Sequence, residues 1–345
     1  MRVLSSVGLL ALTYVLLSGS AGAADRLPAL NAQLSSTTVS GISAGGYMAV
    51  QFHVAHSATV IGAGALAAGP YYCAQGSVWA ARYNCMQPGG WTPLPSISLL
   101  KSATDALAKS GLIDPTSNLR RSRVWLFSGS KDKAVSRDVV EALQRYYGEY
   151  VSPGSVRLVA GVASGHAMVT LDYGGPCDLT ATPFINDCDF DAAGTLLQHV
   201  YGPLQPPSAG ESGALLAFDQ NEFSDGRAYA MSLAPTGYAY VPAPCRSIAC
   251  RVHIAFHGCK QSEEAVGMDF VRHAGYNRWA DANRIIVLYP QTIARYGWGG
   301  WPANFAFNPN GCWDWWGYTT PLYHTHDGPQ IRAVKAMLDR LGQPR

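Results

Sequence analysis

Three residues in the first half of the chain have the types needed to split an acyl bond: Ser43, Asp132 and His166. A serine hydroxyl is a weak nucleophile at neutral pH until a base takes its proton. A histidine can be that base, and then the acid that protonates the leaving group. An aspartate can hold the imidazole in the required tautomer and stabilise the imidazolium that forms. Other residues compete for these roles. His199, His273, His324 and His326 are alternative bases, and Asp138 and Asp172 alternative acids. His166 is favoured because small residues flank it just past a strand end, and Asp132 because it lies in a loop directly after a strand.

The elements that position these groups follow from local pattern. Ser43 lies in Gly41-Ile42-Ser43-Ala44-Gly45, after the β-branched run 36–40 and before the helix-forming run 46–55. A strand turning sharply into a helix at Gly-x-Ser-x-Gly is a nucleophile elbow, with the serine strained and exposed and the helix N-terminus beside the developing oxyanion. Residues 96–111 read as a helix, 123–129 as a buried strand leading to Asp132, 136–148 as a helix, and 155–160 as a strand leading to His166. Ligands and catalytic groups gather at the carboxyl ends of strands in such sheets. The order Ser, Asp, His predicts an α/β-hydrolase fold, mostly a parallel sheet with helices on both faces. Gly62-Ala63-Gly64 before Gly69 has the wrong spacing for a dinucleotide fingerprint and reads as a strand and turn behind the elbow helix.

Residues 202–215, rich in Pro, Gly and Ser, read as a surface connection. Beyond it, 237–242, 251–256 and 284–290 read as strands, and a final helix covers about 330–341. The second of these strands ends in His257-Gly258-Cys259. A His-Gly step after a strand builds the second half of an oxyanion hole, normally upstream of the elbow. Its downstream position predicts circular permutation, with the chain ends close in space. The alternative is a separate domain over 220–345. The predicted organisation is a leader over 1–24 and a single catalytic domain over 25–345.

The leader has Arg2, an apolar core from Val7 to Leu17, and small residues at Ser20–Ala24, which is the pattern of a secretory signal. The mature protein is therefore expected outside the cytoplasm, extracellular or periplasmic. Eight cysteines in an exported chain read as four disulfides. Local spacing pairs Cys73 with Cys85, Cys177 with Cys188 and Cys245 with Cys250, leaving Cys259 with Cys312, out of 105 possible pairings. No Cys-x-x-Cys or His-Glu-x-x-His is present, so neither a metal nor another cofactor is expected. The formal net charge is +2, and 14% of residues are charged against the ~25% of an average soluble protein. That balance offers nothing to attract nucleic acid or an anionic membrane, and it suits an uncharged substrate.

Four stretches now carry a resemblance: Gly41 to Ala49, Phe218-Asp219-Gln220, Phe256 to Cys259, and Asn310 to Tyr318. Together they resemble the polyhydroxybutyrate depolymerases, most closely the single-domain, circularly permuted kind, over essentially the whole mature chain. The resemblance implies a secreted esterase that cleaves poly(3-hydroxybutyrate) or its oligomers. It implies Ser43, Asp132 and His166 as the triad, and the backbone amides of Ala44 and Cys259 as oxyanion donors. A Cys259–Cys312 bridge would then tie the oxyanion loop to the tryptophan-rich loop.

The aromatic segment holds Trp298, Trp301, Trp313, Trp315, Trp316 and Tyr318. Trp313, Trp315 and Trp316, with His257, are the candidate substrate-binding residues, since indoles offer flat apolar area with an N–H for an ester carbonyl. Many secreted members carry a linker and a separate binding domain. Neither is expected here, which favours amorphous polymer or oligomers. The competing readings are a feruloyl-type or other small-ester carboxylesterase with the same triad, and a non-catalytic surface-binding protein. An intact Ser, Asp and His in hydrolase order weighs against the latter.

Overall fold

The computed structural model describes residues 24–298 and 305–345. The expected leader up to residue 23, and Trp301, lie outside them.

The strands are β1 (Gln33–Ile42), β2 (Val60–Leu66), β3 (Arg123–Phe127), β4 (Val156–Val159), β5 (Met168–Thr170), β6 (Gly175–Pro176), β7 (Ile185–Asp187), β8 (Ala214–Asp219), β9 (Thr236–Val241), β10 (Arg251–Phe256), β11 (Ile285–Tyr289), β12 (Arg295–Trp298) and β13 (Phe305–Asn308). The helices are α1 (Ala44–Ala55), α2 (Val78–Asn84), α3 (Ile97–Lys109), α4 (Arg137–Gly148), α5 (Ala192–Tyr201), α6 (Glu263–Val266), α7 (Asp269–His273), α8 (Tyr276–Asn283) and α9 (Pro329–Gly342).

One eight-stranded sheet runs β4-β3-β2-β1-β10-β11-β9-β8. All neighbours from β4 to β11 pair in parallel, and β9 is antiparallel to both β11 and β8. Alternation along the strands feeds two cores. Val124, Leu126, Val252, Ile254 and Phe256 face the layer of α1, α3, α4 and α9. Trp125, Phe127, Ala255, Val287 and Tyr289 face α5, α7 and α8. Strands buried on both faces read as near-continuous apolar runs, which is why β3, β10 and β11 are visible in the sequence.

Two expectations change, and the strand order bears on the alternative of a separate domain over 220–345. The run 202–215 is not only a connection, because its last two residues open β8. Gly62 and Gly64 of β2 face α5 rather than the elbow helix: a Cβ there would stand 2.9 Å from Val200 Cβ and 2.1 Å from Leu196 Cδ1. Residues 220–345 are not a detached sheet, since β10 lies directly beside β1. The ends of the described chain also meet. The Leu30 and Ala32 amides donate to Leu341 O at 3.1 and 2.9 Å, and the Asn31 amide to Gln343 O at 2.9 Å.

Candidate active site

Ser43 stands where β1 becomes α1, with φ 54° and ψ −124°. A positive φ at a residue other than glycine stores strain and needs surroundings that enforce it. Two hydrogen bonds do so: the Ser43 amide donates to Leu66 O at 2.8 Å, and the Tyr47 amide to Ser43 O at 2.9 Å. The flanking glycines are required by space. A Cβ on Gly41 would lie 2.3 Å from Gly45 O, and one on Gly45 would lie 2.3 Å from the carbonyl oxygens of both Phe256 and His257. The end of β10 is therefore seated on the first turn of α1. Every residue of α1 is buried. Between Thr37 and Ser57 every residue but Ser43 is buried, and the Ser43 side chain makes no cap to α1, which leaves the hydroxyl available for chemistry.

Asp132 and His166 follow the carboxyl ends of β3 and β4, on the same sheet edge as Ser43. Backbone bonds lace their loops together: the Ser130 amide donates to Val162 O at 2.9 Å and the Lys131 amide to Ser164 O at 3.0 Å. Asp132 Oδ1 accepts the amides of Ala134 and Val135 at 2.7 and 3.0 Å, which orients the carboxylate. Its Oδ2 lies 2.7 Å from His166 Nδ1. A carboxylate partner makes Nδ1 the donor, so Nε2 carries the lone pair that a general base needs. The His166 amide donates to Thr180 Oγ1 at 2.8 Å.

The rivals are engaged elsewhere. His199 bonds Ser155 O, His273 stacks on Tyr173, and His326 lies against Asp114 and Ala55 O. His324 is buried among Tyr71, Tyr72 and Tyr323. Asp138 sits in the first turn of α4, and Asp172 is exposed beside Arg278.

The loop after β10 is held from several sides. The Gly258 amide donates to Gln261 Oε1 at 2.8 Å, and Gln261 Nε2 donates to Phe184 O at 2.8 Å. The Lys260 amide donates to Asn310 O at 2.7 Å. Cys259 is bridged to Cys312 with a Cα separation of 4.2 Å. The other bridges join Cys73 to Cys85, Cys177 to Cys188 and Cys245 to Cys250. Ala44 is the first residue of α1, so its amide sits at the positive end of that helix.

Two candidate substrate contacts are corrected by burial. His257 has no accessible surface. Its Nδ1 donates to Gly258 O at 2.7 Å, and its Nε2 accepts the Thr292 amide at 3.1 Å. Burial lowers its pKa to about 4, so the ring is neutral and braces the loop. Trp313 is likewise wholly buried, edge-on to Phe256 at 4.9 Å. Trp315 is 5% exposed and stacks on Tyr47 at 3.9 Å, with the planes 9° apart. Tyr47 in turn donates to Cys85 O. Trp316 is half-buried and stands perpendicular to Trp315.

Sequence reasoning missed the residue that shapes this loop. Buried Asp314 accepts the amides of Gly317, Tyr318 and Thr319 at 2.7, 3.0 and 2.8 Å. Its own carbonyl accepts Gln51 Nε2 of α1 at 2.9 Å. Burial pushes its carboxyl pKa up while the Thr319 hydroxyl and these amides pull it down. An acidic residue among tryptophans was the only signal available.

No family model matches the chain. It is 45% identical over 330 residues to the poly(3-hydroxybutyrate) depolymerase of Delftia acidovorans, covering 94% of this chain and 63% of that protein's length. It is 35% identical over 336 residues to the polyhydroxybutyrate depolymerase of Talaromyces funiculosus, covering 95% of each. Two solved structures superpose with a TM-score of 0.83 at 33% identity, covering 92% of this chain and 98% of theirs. One is the PHB depolymerase from Penicillium funiculosum, the other a PHB depolymerase with a serine-to-alanine substitution complexed with R3HB trimer. With that identity spread across nearly the full length of the Talaromyces protein, the chain belongs to the polyhydroxybutyrate depolymerase family.

Proposed function

We propose that this chain is an exported serine esterase that hydrolyses poly(3-hydroxybutyrate) or its oligomers through an acyl-enzyme on Ser43. His166 Nε2 takes the Ser43 proton as Oγ bonds to the ester carbonyl carbon, and Asp132 stabilises the resulting imidazolium. The carbonyl oxygen becomes an oxyanion held by the Ala44 and Cys259 amides. The intermediate collapses, the C–O bond to the leaving hydroxyalkanoate breaks, and His166 gives that oxygen its proton. Water then attacks the acyl-enzyme by the same route in reverse and frees the acid. No cofactor enters any step.

The observation that carries this reading is the 2.7 Å Asp132–His166 bond on the sheet edge where the strained, uncapped Ser43 is presented. The substrate class is supported by the named relatives, by the R3HB trimer bound to the similar structure, and by the low charge of the chain. Trp316, with Trp315 behind it, is assigned to hold the polyester chain. Export is supported by the leader pattern and by four disulfides with no free cysteine, and no described helix is long and apolar enough to cross a membrane.

We read residues 25–345 as one catalytic domain with a permuted strand order, because the second half of the chain supplies β10, β11, β9 and β8 beside β1. The test is clearance of an amorphous poly(3-hydroxybutyrate) suspension alongside release of ferulate from a feruloyl ester. Clearance with little ferulate release is expected. Strong feruloyl turnover without clearance would assign the triad to small esters.

A further inference from the structure

The sequence has no metal-binding spacing, yet the fold gathers three potential ligands from distant positions. His56 caps the C-terminal end of α1, Asp114 lies in the loop after α3, and His326 lies just before α9. One ligand atom from each falls within 4.8 Å of the other two. We infer that His56, Asp114 and His326 bind a divalent first-row transition metal, with Zn²⁺ the ion the donor set suits best, and that the ion clamps the end of α1 to the segment entering α9.

The strongest sign is a nitrogen with nothing to do. His56 is 8% exposed, and its Nε2 is buried with no hydrogen-bond partner among the described residues. A buried ring nitrogen left unpaired carries an uncompensated desolvation penalty, and such groups in native structures call for a specific explanation. The His326 ring stacks on His56 with centroids 4.8 Å apart. Its Nε2 lies 2.6 Å from Ala55 O and 3.4 Å from Asp114 Oδ1. Ala55 O also accepts the Asp114 amide at 3.0 Å, so the carbonyl stays bonded if His326 turns to a metal. Asp114 Oδ2 accepts the Ala58 amide at 2.8 Å, which orients the carboxylate from behind.

The surroundings also favour a cation. The C-terminus of a helix carries negative potential from its free carbonyls. The opposing charge is Lys335, which acts on His56 but is tied to Asp339 at 2.6 Å. Arg121, the nearby guanidinium, is engaged by the carbonyls of Ser57 and Ala58. Two imidazoles and a carboxylate suit zinc, copper or nickel rather than magnesium or calcium. Donors at about 2.1 Å from a tetrahedral zinc stand about 3.4 Å apart, so the trio must close by little more than about 1 Å. The His326 and Asp114 side chains, 31% and 21% exposed, have room to do so.

The ion is not catalytic. At about 1.5 Å per residue, α1 places this site about 18 Å from Ser43. Its role is to fasten the helix that carries the elbow.

The test takes metal-stripped wild-type protein and the variants His326→Gln and Asp114→Asn. Each is titrated with CoCl₂ and ZnCl₂, following bound metal by equilibrium dialysis, visible absorption and Tm. We expect one equivalent bound to wild type, four-coordinate Co²⁺ bands that Zn²⁺ displaces, and a Tm several degrees higher with metal. Both variants should lose the bound equivalent and the metal-dependent rise in Tm, while turning over nitrophenyl butyrate like wild type. Absence of Co²⁺ bands in wild type overturns the inference without reference to any variant. So does metal retained by both variants, or an equal Tm rise with Ca²⁺ or Mg²⁺.

Discussion

Replacing Gly45 with alanine sets two effects against each other, and the structure decides between them. Alanine is a better helix former than glycine by about 1 kcal/mol, so propensity alone predicts a more stable α1. The new Cβ, however, would stand 2.3 Å from the carbonyl oxygens of Phe256 and His257, both main-chain atoms that cannot rotate aside. To reach the 3.0 Å that real Cβ contacts keep, the end of β10 must retreat by at least about 0.7 Å from the elbow. Overpacking of this kind costs about 1–3 kcal/mol, which outweighs the propensity gain. The retreat also carries the Cys259 amide, two residues past His257, away from the developing oxyanion. A displacement near 1 Å at a reacting centre costs about 10²-fold in rate. Gly45→Ala should therefore fold with a lowered Tm and turn over nitrophenyl butyrate about 10²-fold more slowly, mostly in kcat. A raised Tm with wild-type kcat would refute both the seating of β10 on α1 and the assignment of Cys259.

Other outcomes follow from the same geometry. Asp132→Asn should lower kcat by about 10⁴-fold with little change in Tm, because an amide no longer fixes the His166 tautomer; a loss below tenfold would remove Asp132 from the triad. Trp316→Ala should slow cleavage of polymer and trimer more than of nitrophenyl butyrate, since remote binding energy is used in the transition state; equal losses on all three would deny the indole a role in holding the chain. Acid should destabilise the fold through His53 and His253. Burial lowers both to about 3, with His53 bonded to Tyr147 and Ser122, and His253 to Thr38 and Ser40. The unfolded chain protonates near pH 6.5 while the folded one resists, so stability is full above that pH and lost as pH falls towards 3. Each histidine contributes about 1.4 kcal/mol per pH unit, so urea midpoints at pH 7 and pH 5 should differ widely, and equal midpoints would contradict this.

The side of the sheet that carries the candidate triad was legible because its signals are local. An elbow pentapeptide between a strand and a helix needs no distant contact to be recognised, and β3 and β11 announce themselves as apolar runs. What was illegible depends on packing. α5 was missed because Gly194 weakens its helical pattern, and that glycine is required where the Trp279 ring passes 2.4 Å from its Cβ position. β5, β6 and β7 are two or three residues long, too short to show a period. An indole is both apolar and a donor, so the sequence could not separate Trp313, which props Phe256, from Trp316, which reaches the surface. His257 was a candidate substrate contact, and its burial and hydrogen bonds to Gly258 and Thr292 make it a brace of the loop.

If Ser43 forms a covalent acyl-enzyme, a phosphonate that mimics the tetrahedral intermediate should label that residue. Wild-type protein treated with a nitrophenyl phosphonate diester should gain one adduct, located by peptide mass spectrometry on Ser43, and should lose polymer clearance in proportion to labelling. Ser43→Ala should take no adduct and retain about 10⁻⁶ of wild-type turnover, with its Tm close to wild type. An adduct on another serine, or clearance that survives in Ser43→Ala, would rule out Ser43 as the nucleophile.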